Sequence, residues 1–244
     1  MRCTPRGFAS CAQSPPSAGE PPGGLAPRSS CRPARPPRTS PPTSGLWTPR
    51  RCRPLDRFTG VLFAALDVSS LTGAQRVRAA RSTLVFSGAF GALAGDEPVP
   101  LHRVPASATL PRIGGLAAYW RKALAVSLAP RIEGAGLVVD LRSSDYAAMW
   151  QPAPSQAGRV VTVRVLEDRG DRLQAVSWSS KHGKGLLARE LLRTDSARSP
   201  VRKFDDVAAA AGRIGYGVLP RATVTSAPGL RGELGPGLDL IVPG

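Results

Sequence analysis

A break in sequence character near residue 54 limits what this chain can fold into. Residues 1–54 contain no Val, Ile, Tyr or Lys, and their few large apolar side chains (Phe8, Leu25, Leu46, Trp47) recur at neither a helical nor a strand period. Such a stretch cannot bury enough surface to offset the entropy of ordering it. It also holds 13 of the 25 prolines, which remove amide donors and favour extended, solvated backbone. The expectation is a disordered Pro/Arg-rich segment over residues 1–54 and one folded domain over 55–244. Three readings of the front segment stand open: non-native sequence from a wrong start or shifted frame, a genuine flexible tail, and an organelle transit peptide. The 29 Arg against 4 Lys, with no Asn, suit a GC-rich gene and favour the first. Cys3 to Gly7 does not supply the apolar run of a secretory signal.

The formal net charge is +16, and residues 55–244 still carry 24 Lys+Arg against 16 Asp+Glu, a surplus of 24 − 16 = 8. A basic domain of this kind suits a polyanionic partner. Apolar runs such as Val61 to Leu66 are far shorter than the roughly 20 residues that span a bilayer, so no membrane partner is expected. The four cysteines, at 3, 11, 31 and 52, show no zinc-ligand spacing, and their small number fits a reducing compartment, hence the cytoplasm.

Periodicity places the elements of the second part. Gly73 to Arg81 reads as a basic helix leading into a strand from Thr83 to Phe86. Leu116, Trp120, Leu124 and Leu128 recur every four residues, the stripe of an amphipathic helix over Gly115 to Leu128. Leu137 to Leu141 is a buried strand. Val161, Val163 and Val165 alternate with polar residues, and the turn Asp168-Arg169-Gly170-Asp171 returns the chain into a partner strand from Leu173 to Trp178. A glycine-rich turn, Lys181-His182-Gly183-Lys184-Gly185, then precedes a helix from Leu186 to Arg193. Ser199-Pro200 supplies an N-cap and first-turn proline for a helix from Val201 to Gly212, and Leu238 to Val242 forms a terminal strand. Strands and helices mix without a repeating βαβ order, so the fold class is α+β, a mixed α/β single domain.

Motifs of familiar enzymes are missing. There is no H-E-x-x-H, C-x-x-C or G-x-S-x-G, and Gly183-Lys184 lacks the upstream glycine and following Ser/Thr of a Walker A loop. The expectation is therefore no catalytic residues, no metal and no cofactor. The most suggestive segment is Ser177 to Arg193, where Lys181, Lys184, Arg189 and Arg193 gather around the glycines at a helix start. Converging amides and the helix dipole there would suit a phosphate, although a solvated basic connection has the same composition. Arg103 reads as a surface arginine, and Tyr119 and Trp120 as boundary and core residues. Asp140, Arg142 and Asp145 read as a network at a strand end, capping a helix that starts near Ser143 or Ser144. An undetected nucleic-acid- or nucleotide-processing enzyme, using Asp140, Asp145 and His182 for proton transfer, is the alternative.

Several blocks in succession resemble one family. They are Phe58-Thr59-Gly60-Val61-Leu62, Leu84 to Gly91, His102-Arg103, Tyr119-Trp120, Val138 to Tyr146 and Ser177 to Arg189. Their order and spacing over about residues 57–219 resemble the peroxide stress resistance protein YaaA family. The resemblance implies a cantaloupe-like mixed α/β domain with a helix-hairpin-helix-like element and a positively charged cleft for double-stranded DNA. It also implies a role in the hydrogen peroxide response, limiting free iron and oxidative DNA damage. On this reading Lys181, Lys184, Gly185, Arg189, Arg103 and Lys122 contact DNA phosphates. Residues 1–54 have no counterpart of the apolar strand and lysine-bearing turn that open family chains, and His102 stands where the family carries tyrosine. Oligomeric state is left open by the sequence.

Overall fold

The computed structural model describes residues 51–194, 201–221, 224–225, 233–234 and 236–243. The expectations for residues 1–50 and for the Ser199-Pro200 cap lie outside the described residues. In chain order the elements are α1 (Pro54–Arg57), α2 (Val61–Leu66), α3 (Gly73–Ser82), β1 (Leu84–Ser87), β2 (Gly91–Ala94), β3 (Thr109–Leu110) and β4 (Gly114–Gly115). They continue with α4 (Leu116–Glu133), β5 (Val138–Asp140), α5 (Ser144–Ala147), β6 (Val160–Asp168), β7 (Leu173–Gln174), α6 (Ser177–Thr194) and α7 (Phe204–Arg213). The last are β8 (Gly217–Arg221), β9 (Val224–Thr225), β10 (Glu233–Leu234) and β11 (Gly237–Pro243).

The mixed α and β class expected from the sequence is what forms. A five-stranded sheet runs β5-β6-β11-β8, with β7 added at the end of β6. The β5, β6 and β11 strands are parallel neighbours, and β8 pairs antiparallel with β11. The segment expected as a terminal strand is therefore central, with Leu238 and Leu240 fully buried between β6 and β8.

Three apolar clusters hold the elements together. Val161, Val163 and Val165 of β6 and Leu238 and Leu240 of β11 pack with Leu187 of α6 and with Val207, Ala210 and Ala211 of α7. Leu124, Leu128 and Ile132 of α4 pack on Met149, Trp150 and Val160. Leu55, Leu66, Leu71, Ala79 and Val85 pack with Leu192, at the far end of α6. Helix α6 thus touches the sheet through Leu187 and the α1–α3 layer through Leu192, which makes it the element that joins the two.

Local chemistry sets several boundaries. A capping box starts α3: Gln75 N–H donates to the Thr72 hydroxyl at 3.4 Å, and Thr72 N–H to the Gln75 side chain at 2.9 Å. Residues ahead of 55 take part in the fold, because Cys52 and Val99 exchange backbone hydrogen bonds of 3.0 and 2.9 Å and Pro54 opens α1. The helix expected over Gly115 to Leu128 continues to Glu133, with Pro130 inside its last turns.

Two expectations need correction. The strand expected from Leu173 to Trp178 stops at Gln174, and α6 starts at Ser177, so Trp178 is helical. Gly183-Lys184-Gly185 is not a turn before a helix but lies inside the 18-residue α6. The reason is steric. A Cβ on Gly183 would stand 2.8 Å from the Tyr216 ring, and one on Gly185 would stand 2.3 Å from the Leu62 carbonyl oxygen and 2.7 Å from Ala65 Cβ. Helix α6 is squeezed between Tyr216 and α2, and glycine is the residue that lets both approach.

Candidate nucleic-acid interface

Each expected phosphate-binding residue of α6 has its own environment. Lys181 is exposed. Lys184 is buried at 9% exposure, and its ammonium donates to the Arg142 carbonyl at 2.8 Å. Gly185 is buried against α2. Arg189, half-buried, faces Asp67 at 3.6 Å. The Ser69 hydroxyl bound to Asp67, helped by Ser70 and Arg189, outweighs partial burial and holds that carboxyl below its usual range. A continuous phosphate cradle over residues 181–189 therefore does not form. Lys184 and Gly185 face inward because the helix continues through them and this side of α6 meets α2 and the end of β5.

The network around Lys184 brings three largely buried charges together. Asp140, the last residue of β5, accepts from Arg142 Nε at 2.9 Å and from its Nη2 at 2.7 Å, and from the Arg142 backbone N–H at 3.0 Å. Arg142 Nη1 donates to the Tyr146 carbonyl at 3.2 Å. The guanidinium lies over the rings of Phe86 and Trp150, at 4.4 and 5.1 Å from their centroids. Burial alone would raise the Asp140 carboxyl, but the Arg142 charge and hydrogen bonds, with Lys184 adding to them, pull it below its usual range. The Asp140–Arg142 part of the strand-end network expected from the sequence forms, but exposed Asp145 has no hydrogen bond or ion pair to it. Ser143, at the start of α5, makes no side-chain cap, and the network reaches α5 through the Tyr146 carbonyl while also tying α6 to β1.

The turn after β1 is held by His102 and Trp120, neighbours in sequence of the remaining expected cations. The Ser87 hydroxyl and His102 Nε2 share a hydrogen bond of 2.8 Å, while His102 Nδ1 lies 3.0 Å from the Pro100 carbonyl. The His102 ring is flanked by Phe58 and Phe90. On α4, Trp120 donates its indole N–H to the Gly88 carbonyl at 2.8 Å, and its ring closes over Gly91. Arg103 and Lys122 are exposed, and each lies one or two residues from a side chain that grips this turn. The loop and helix that carry them are held by these contacts, and on α4 Lys122, two residues from Trp120, points away from the turn. As the sequence suggests, Trp120 is part of the core, while Tyr119 is exposed.

Sequence reasoning missed Trp178. It is 60% exposed in the first turn of α6, and its ring stacks on His182 at 4.8 Å and 9°. Reading its segment as a strand hid the i, i+4 relation that pairs the two rings. Among the described residues no hydrogen bond joins any two of Asp140, Asp145 and His182, and no group of three or more His, Cys, Asp or Glu could hold a metal ion. Nor is any described helix long and apolar enough to cross a membrane.

Comparison with known proteins agrees with the blocks that form these contacts. The sequence profile described as peroxide stress protein YaaA matches residues 43–209, a span that takes in β1, β5, the Asp140 network and all of α6. A UPF0246 protein of Streptomyces coelicolor is 46% identical over 140 residues, covering 57% of this chain and 53% of the relative. Similar UPF0246 proteins occur in Corynebacterium glutamicum, 34% identical over 65% of this chain and 62% of the relative, and in Variovorax paradoxus, 30% identical over 66% and 64%. The chain thus spans about half to just under two thirds of the length of these relatives. With a profile match over most of its length and the same blocks building its central contacts, the chain belongs to the peroxide stress protein YaaA family.

Proposed function

We propose that this chain binds double-stranded DNA in the cytoplasm as part of the hydrogen peroxide response, limiting free iron and oxidative DNA damage. The observation that carries the DNA reading is the exposed cation Lys181 on a rigidly held α6, in a chain whose net charge is +16. Arg103 and Lys122, both exposed, add charge without a carboxylate partner in hydrogen-bond range among the described residues. Point charges on mobile stems hold phosphates and carry no base code, so binding on this reading is insensitive to sequence and sensitive to salt. Lys184 and Gly185 act within the fold. The peroxide and iron parts rest on family likeness.

The test is a titration of fluorescent duplex DNA with the full chain at several salt concentrations. Three phosphate contacts, each contributing about −0.9 to the log-log slope, predict roughly a fortyfold loss of affinity between about 50 and 200 mM salt. Replacing Arg103, Lys122 and Lys181 together by alanine should flatten that slope and leave thermal stability within about 0.5 kcal/mol per site, since all three are exposed. A change of less than about threefold with salt, or full affinity in the triple variant, would remove the proposal. The DNA recovered after incubation should be intact. Cleaved or hydrolysed product would favour the enzyme reading instead.

A further inference from the structure

We infer that Trp178 is a stacking platform for an unpaired nucleobase, an inference that rests on the DNA-binding reading and gives α6 a second mode of contact. Of the tryptophans among the described residues, Trp150 is 4% exposed and Trp120 is half-buried with its indole N–H bonded to Gly88. Trp178 alone among them presents a largely open ring, at 60% exposure. One face of that ring is covered by His182, stacked within 9° of parallel, so the exposure falls on the opposite face and the edge. The imidazole also limits the rotations open to the indole, so the free face is presented in a fixed direction before any ligand arrives.

The base of the platform is rigid. Ser179, in the same helical turn, donates its hydroxyl to the buried Glu167 at the end of β6, and Glu167 also pairs with Arg169 of the hairpin. Lys181 follows Trp178 by three residues, which places it on the adjoining helix surface beside the ring. A flat apolar face with a mobile ammonium at its side matches a flat base carrying a phosphate. Aromatic rings take any base because every base has a π-face. The bases of an intact duplex are stacked on each other, so this contact needs a gap, a bubble or a single strand. A peptide aromatic would use the ring equally well but has no need of the neighbouring cation, and the net charge of +16 favours the polyanion.

Abasic DNA separates this contact from electrostatics, because it has the phosphates and lacks the bases. The full chain, Trp178→Ala and Trp178→Phe would each be titrated with a fluorescent oligothymidylate, an abasic strand of equal length and a fully paired duplex. The unaltered chain is expected to bind oligothymidylate at least about fivefold more tightly than the abasic strand. Trp178→Ala should abolish that ratio, Trp178→Phe should keep most of it, and neither should change duplex affinity or melting temperature. Equal binding of base-bearing and abasic strands by the unaltered chain would overturn the inference. So would an unchanged ratio in Trp178→Ala. Either result with duplex binding intact leaves the DNA reading standing, whereas failure to bind any of the three would overturn both.

Discussion

Gly185→Ala should lower stability by about 3 kcal/mol, at the upper end of overpacking substitutions, and depress the melting temperature by roughly 6–12 °C. Alanine is the better helix former, by about 1 kcal/mol in an open helix, so propensity alone predicts the opposite sign. The packing decides. The added Cβ would lie 2.3 Å from the Leu62 carbonyl oxygen, and that oxygen belongs to backbone that cannot rotate away. Either α2 moves off α6 or α6 leaves the sheet, and both movements open the layers that Leu187 and Leu192 hold together. Gly212→Ala is the control. It lies near the end of α7 with nothing within 4 Å of an added Cβ, so it should stabilise by about 0.4–1 kcal/mol. Chemical denaturation of both variants checks the pair. Equal stability of Gly185→Ala and the unaltered chain would show that α2 does not pack on α6.

Asp140→Asn should be as costly, by about 3 kcal/mol or more, because it leaves Arg142 and Lys184 facing a neutral group in the interior. Asp140 and Arg142 side chains are 11% and 12% exposed, so water cannot replace the lost charge. The effect has a pH signature. The folded-state carboxyl lies below its ordinary value of 3.8, so its contribution is complete above that value. It is lost as pH falls from there through the lower folded-state value, where Asp140 takes up a proton. The asparagine variant should therefore be less stable at neutral pH and show a shallower loss below about pH 4, with the two curves approaching each other in acid. Parallel curves would mean that Asp140 does not carry its charge in the fold.

The two substitutions mark what could be read in the sequence. The alternation of Val161, Val163 and Val165 and the four-residue recurrence from Leu116 to Leu128 are local records of buried faces, and β6 and α4 formed where they pointed. The course of α6 left no such record. Two glycines within three residues weaken a helix by local propensity, and only Tyr216 on one side and Leu62 on the other, distant in sequence, make them the right residues. Misplacing the helix start then turned Trp178 into a strand residue and Lys184 into a surface charge. A lysine whose ammonium meets the Arg142 carbonyl looks the same in sequence as one in water, so its burial became visible only once β5 and α6 were side by side. Lys181 stands out in the sequence by charge, whereas Arg103 and Lys122 enter through the family resemblance; all three are exposed. The central place of β11 could not be found that way. Leu238 to Val242 reads as a terminal strand, and nothing within it names β6 and β8 as neighbours.

The division of labour between the two lysines is the central claim, and one paired measurement bears on it most directly. Duplex DNA affinity as a function of salt would be measured for Lys181→Ala and Lys184→Met, with the melting temperature of each. Lys181→Ala should reduce the log-log salt slope by about 0.9, one phosphate contact, and leave the melting temperature unchanged. Lys184→Met keeps the buried stem but removes a donor to the Arg142 carbonyl, so it should cost about 1–3 kcal/mol of stability and leave the slope as it was. The reverse pattern, a lower slope in Lys184→Met and none in Lys181→Ala, would contradict the assignment of Lys184 to the interior and of Lys181 to DNA.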